Sequence, residues 1–120
     1  MSENELITLN GVEYVRKDSP KMAFNTENLP FVIVRSYGAG VFAGYLKEQK
    51  DQEVTLLDSI RLWQWFGASL SQLSQEGTPD ASKCKFAMTE IEKKVLQVIE
   101  ITHCTEKARI NLQTVKQWKI

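Results

Sequence analysis

Between Ser59 and Gly67 the chain reads SIRLWQWFG, and in an extended strand alternate side chains face opposite sides, so Arg61, Trp63 and Trp65 fall together while Ile60, Leu62 and Gln64 face the other way. A guanidinium beside two indoles suits one kind of chemistry. The planar fork of arginine grips phosphate, and an aromatic ring offers a purine a flat stacking surface worth about 1–3 kcal/mol per base. The same residues fit a second role, in which the tryptophans are core or a dimer interface and Arg61 covers them through a cation–π contact. Both roles stay open on the sequence. Phe86, Lys85 and Arg109 are further candidate walls and clamps, and Arg35 joins them, so the candidate ligand-binding set is Arg61, Trp63, Phe86, Arg109 and Arg35.

Other chemistries find less to work with. His103 is the single histidine, so a Ser-His-Asp or Cys-His system would have to use it. Its neighbour Cys104 points to the opposite face of a strand, the wrong arrangement for sharing a proton. Glu90, Glu92 and Glu100 read as a solvated charged surface rather than a hydrolytic pair. Cys84 and Cys104 show no metal-ligand spacing, and buried, inert thiols are the expectation. Gly38-Ala39-Gly40 and Gly44 are not followed by a helix or by Lys-Ser/Thr, so the nucleotide-loop motifs are not met. Tight hairpin geometry explains these glycines, or else close approach of a ligand or subunit to the backbone. A binding protein without catalytic residues, metal or cofactor is therefore expected.

The 120 residues are the size of one domain, and fifteen Lys plus Arg balance fifteen Asp plus Glu. That balance argues against duplex nucleic acid, whose binding is driven by cations that displace counterions. A small anion needs only two or three well-placed cations, which vanish in a whole-chain sum. The start, MSENELITLN, has no basic region before an apolar run, and no apolar segment approaches the ~20 residues of a membrane span. The expectation is a cytoplasmic protein with reduced thiols and no membrane contact.

The elements that must position these residues form an α+β domain over residues 1–120: a small antiparallel sheet of short hairpins, one short central helix and a C-terminal amphipathic helix. Asn10-Gly11 predicts a hairpin turn within Leu6 to Arg16, and Lys17 to Pro30 reads as a long connecting loop. Phe31 to Tyr37 and Val41 to Lys47 predict a second hairpin across Gly38-Ala39-Gly40. Lys47 to Glu53 is a polar turn, followed by Val54 to Leu57 and Ser59 to Trp65 as a third pair of strands bent at Asp58. Ser69 and Gln72 form a capping box for a helix ending at Gly77. Cys84 to Met88 is a short strand, Glu90 to Lys94 a turn or helical turn, and Val95 to Thr102 a stronger strand. Thr105 caps a helix whose apolar stripe is Ala108, Leu112, Val115 and Trp118.

The strings ITLNGVEYVRK, PFVIVRSYGAGVFAGYL, SIRLWQWFGA and IEITHCTEKAR, spread over nearly the whole chain, resemble a family of short proteins carried by tailed phages and prophages. The pattern is also similar to the first described Thoeris anti-defence family of phages. That resemblance implies a sponge: a protein that binds a cyclic ADP-ribose isomer made by a bacterial TIR-domain protein without cleaving it, some members also capturing cyclic oligonucleotides. It further implies an aromatic stack and one or two arginines around an adenine and a pyrophosphate, which Arg61, Phe86 and Arg109 supply if they converge. A homodimer or larger closed oligomer in the host bacterial cytoplasm is expected. The alternatives are a phage structural or regulatory interaction module, docking a protein on the Trp-rich face, and a small nucleotide hydrolase.

Overall fold

The computed structural model describes residues 6–9, 12–15, 21–67 and 69–119. The fold is α+β, a six-stranded antiparallel sheet carrying two helices, with a separate two-stranded sheet at the start. That first sheet pairs β1 (Leu6–Leu9) with β2 (Val12–Val15), Leu6 opposite Val15 and Leu9 opposite Val12. The Asn10-Gly11 turn expected between them lies outside the described residues, as do residues 17–20 of the expected loop. The rest of that loop is tied down. Ala23 N–H donates to Cys104 O at 3.0 Å, Phe31 N–H donates back to Ala23 O at 3.0 Å, and Ala23 is buried.

The six-stranded sheet contains β3 (Phe31–Ser36), β4 (Gly40–Lys50), β5 (Glu53–Gln64), β6 (Lys85–Phe86), β7 (Glu90–Val95) and β8 (Val98–His103), ordered β6-β5-β4-β3-β8 with β7 also on β5. β7 lies on one side of this meander and β8 on the other, yet only Leu96 and Gln97 separate them, with Gln97 at φ 54. The sheet therefore curls until its two sides are one interrupted strand. Three bonds hold the closure: Tyr37 N–H to Gln97 O at 2.9 Å, Ser36 Oγ to Leu96 O at 2.7 Å, and Val98 N–H to Gln52 O at 2.9 Å.

Closure creates two cores. Inside the curl, Val32, Val34, Phe42, Val54, Leu56, Val95 and Val98 pack together. On the outer face, Phe31, Ile33, Tyr45, Ile60 and Leu62 meet Leu73 of α1 (Leu70–Glu76) and Ala108 and Leu112 of α2 (Glu106–Gln113). β3 is buried on both faces, which is why FVIV is an unbroken apolar run rather than an alternating one.

β5 changes sides midway. Ala43 faces Ile60 and Tyr45 faces Leu57, so Gly44 alone stands opposite Asp58 and Ser59, with Asp58 at φ 51. This bulge replaces the bend expected at Asp58, and Glu53–Gln64 is one strand instead of two. Its consequence is a phase flip: Val54 and Leu56 point into the curl, but Ile60 and Leu62 point to the helices. Gly44 allows it, because a Cβ there would lie 3.0 Å from Leu57 O and 3.3 Å from Ser59 Cα.

Three further expectations change. The polar turn is only Asp51-Gln52, since β4 runs on to Lys50. Glu90–Val95 is a strand, because the open side of β5 offers it a ladder from Val54↔Val95 to Ser59↔Glu90. The strand expected over Val95 to Thr102 is broken at Leu96-Gln97, where the chain crosses from β5 to β3.

The helix caps form as expected, Ser69 accepting from Gln72 N–H at 3.2 Å and Thr105 from Ala108 N–H at 3.1 Å. α2 ends at Gln113, however, and Trp118 leaves its stripe: Trp118 N–H donates to Phe86 O at 2.8 Å as the tail extends along β6. Gly77, at φ 82, lets the two helices meet, since a Cβ there would overlap Asn111, whose amide bonds both backbone groups of Thr78.

Candidate functional site

The phase flip at Asp58 puts Arg61 on the curl side of β5, directly opposite Phe42. Phe42 is buried and floors one mouth of the closed sheet. The Arg61 guanidinium carbon stands 4.6 Å from the centre of that ring, and Lys93 Nζ, reaching in from β7, stands 5.4 Å from it. Arg61 Nη1 donates to Ala39 O at 2.7 Å, which holds the guanidinium against the Gly38-Ala39-Gly40 turn. Lys93 is held by Glu90 at 2.7 Å. Around them lies a cleft of about 260 Å³ lined also by Ser36, Lys94 and Leu96.

Arg61 has five N–H donors, and among the described residues Ala39 O is its hydrogen-bond acceptor. A positioned guanidinium with donors to spare, an ammonium 5.4 Å from the same ring and a turn with little side-chain bulk can grip an oxyanion. Small residues in that turn also allow close approach, so hairpin geometry and ligand access are compatible here.

Trp63 is 62% exposed, two residues beyond Arg61 and outside the helix-covered core. Leu62 pairs with Phe86 and Gln64 with Lys85, so Trp63 is the extra residue of a second bulge. That irregularity ends the alternation, and Trp65 packs against the helix-side core instead of beside Trp63.

The other three candidates lie elsewhere. Phe86 is 1% exposed, filled in among the helix-side core residues, so its ring is not a wall for a ligand in this chain. Arg109 is on α2, across the sheet from Arg61. Its Nε donates to Glu106 at 3.1 Å and its Nη1 to Gln113 at 2.7 Å and to Tyr45 Oη at 3.5 Å. The bond to Glu106 raises the Arg109 pKa, and the same bond from Arg109 holds the Glu106 carboxyl below its ordinary range. Arg35 is exposed on β3 opposite Glu100, with Nε 3.7 Å from its carboxylate. Arg61, Phe86 and Arg109 thus do not converge within one chain.

Phe42, Lys93 and Lys94 went unnoticed in the sequence. The alternation of Ile91, Lys93 and Val95 was the available signal for the strand that carries the lysines, but the charge run EIEKK masked it.

His103 is exposed on β8, whereas Cys104 is buried and its thiol is pushed up to about 12 by burial. Such a thiol stays protonated and is a poor nucleophile. Among the described residues no group of three or more His, Cys, Asp or Glu side chains could hold a metal ion, and no helix is long and apolar enough to cross a membrane.

No curated protein and no solved structure matches the chain. Residues 29–112, which span the closed sheet and nearly all of α2, match the domain of unknown function DUF6948, and the chain belongs to that family.

Proposed function

We propose that this protein binds a small anionic ligand bearing a flat ring, a cyclic nucleotide immune signal such as a cyclic ADP-ribose isomer, and sequesters it without cleavage as a phage anti-defence protein in the host bacterial cytoplasm. The observation that carries this reading is the mouth of the closed sheet, where Arg61 and Lys93 stand over Phe42 beside the glycine turn. The cations suit a pyrophosphate, and the exposed indole of Trp63 suits a base.

A cleft of about 260 Å³ in one chain encloses only part of such a ligand. Leu96 and Ile99 lie exposed at the β7–β8 crossing, and Ile91, at the other end of β7, is 86% exposed. Burying them in a homodimer or larger closed oligomer supports a fuller enclosure. A sponge needs nanomolar affinity, about −12 kcal/mol, which favours an enclosed site over an open patch.

Calorimetry with cyclic ADP-ribose isomers, followed by chromatography of the ligand released on heating, tests the reading. Heat with unaltered ligand is the expected result. Altered ligand would make the protein a hydrolase, and absence of heat would favour a protein-interaction module that docks its partner through Trp63 and its apolar neighbours.

A further inference from the structure

A second cleft, of about 570 Å³, lies where the tail after α2 runs beside the segment leading into β6. Four lysines line it, Lys83, Lys85, Lys116 and Lys119, and no acidic residue does. In a chain of formal net charge zero this is a concentrated positive field. The nearby carboxylate, Asp80, is 3.9 Å from Lys83 Nζ and also accepts from the Ser82 hydroxyl.

Two aromatic rings accompany the lysines. Lys85 Nζ is 5.7 Å from the centre of Trp118, and Lys83 Nζ is 4.4 Å from the centre of Phe66. The Trp118 indole is 56% exposed although its backbone is fixed by the 2.8 Å bond to Phe86 O. The ring thus stands largely exposed on an anchored backbone, with a lysine ammonium near it, which suits a stacking surface.

We propose that this cleft is a second ligand site, for a nucleoside polyphosphate. The ammonium groups take the phosphate chain as point charges, and Trp118 takes the base. Lysine rather than arginine at all four positions fits a mobile polyphosphate better than one phosphate held by a fork. The volume is that of a small-molecule pocket, which favours a mononucleotide over a strand of nucleic acid. This cleft and the Arg61 cleft share no lining residue, and Lys116, Trp118 and Lys119 lie beyond the residues matched to the family.

The test is titration of the full-length protein with adenosine triphosphate, followed by tryptophan fluorescence and calorimetry. Saturable binding that weakens with added salt is expected. Trp118→Ala should weaken it about tenfold, and the double variant Lys116→Ala/Lys119→Ala by at least as much, while Lys50→Ala, at the exposed end of β4, leaves it unchanged. No saturable binding, or equal binding by both variants, overturns the site. Tripolyphosphate binding as tightly as the nucleotide overturns the stacking role of Trp118. An oligothymidylate binding more than tenfold tighter than the nucleotide overturns the mononucleotide assignment.

Discussion

The two faces of β4 and β5 use the same strands for opposite ends. On the helix side, Tyr45, Ile60 and Leu62 are covered by α1 and α2, and the polar groups at the rim answer one another, as in Arg109 with Glu106, Gln113 and Tyr45. At the mouth of the curl, Phe42 and Arg61 come from the same pair of strands, but what covers the ring is two cations and a cleft. A closed side converts its residues into stability. The open mouth instead leaves two cations beside a cleft at the surface. The contrast explains why Arg109 and Arg61, alike in a sequence, belong to different categories of residue.

Substitutions can break this contrast. The largest expected effect is on the closed side: Leu112→Ala, deleting a side chain 1% exposed between α2 and the sheet, should cost about 2–5 kcal/mol in denaturant unfolding. Ligand affinity of the folded fraction should hardly move. A loss of stability below 1 kcal/mol would mean that the helices are not what closes this face.

Gly44→Ala addresses the device that separates the two faces. Its new methyl group would meet Leu57 O at 3.0 Å and Leu56 Cβ at 3.2 Å, so the bulge at Asp58 must shift. The expected cost is about 1–3 kcal/mol. Because the bulge sets the side on which Arg61 emerges, ligand affinity should fall together with stability, and unchanged affinity would uncouple them.

Glu106→Gln probes the rim of the closed side through pH. The folded pKa of Glu106 is depressed, first through its bond from Arg109, so its contribution is fully present above the ordinary 4.5 and is lost as pH falls through the folded value. The difference between wild type and variant should therefore be largest at neutral pH and shrink below pH 4.5. Since both groups keep solvent contact, that difference should stay under about 1 kcal/mol. A gap that widens on acidification would contradict the assignment.

Trp63→Ala should have the smallest effect on unfolding, within about 0.5 kcal/mol, because the ring is 62% exposed. Its effect should appear in ligand affinity instead. A stability loss of 2 kcal/mol or more would place the indole with the core after all.

Much of this arrangement is legible in the residues. Phe31 to Tyr37 and Val41 to Lys47 carry their strand propensity openly, and Ser69, Gly77 and Thr105 mark helix ends through local chemistry. The alternation of Arg61 and Leu62 also survives, since both lie on the regular stretch after the Asp58 bulge. What stays hidden depends on distant partners. The charged strand Glu90–Val95 forms because β5 has an open side to receive it, and the charges of EIEKKV mask the weak alternation that announces it. Trp65 and Trp118 leave their expected faces through a bulge and an early helix end, each a tertiary override of a local period. The crossing at Leu96-Gln97 turns one apparent strand into two and closes the sheet, an event set by two ladders and not by the propensity of VLQVIEIT. Phe86 looked available because an aromatic beside lysines reads alike whether it lies inside or out.

In the proposed function Arg61, held over Phe42 at the mouth of the closed sheet, grips the phosphates of a cyclic nucleotide. Isothermal titration of a cyclic ADP-ribose isomer into wild type and Arg61→Ala tests it most directly. Binding by the wild type and at least a tenfold loss in the variant are expected, with unfolding changed by no more than about 1 kcal/mol. Affinity unchanged within twofold would contradict it.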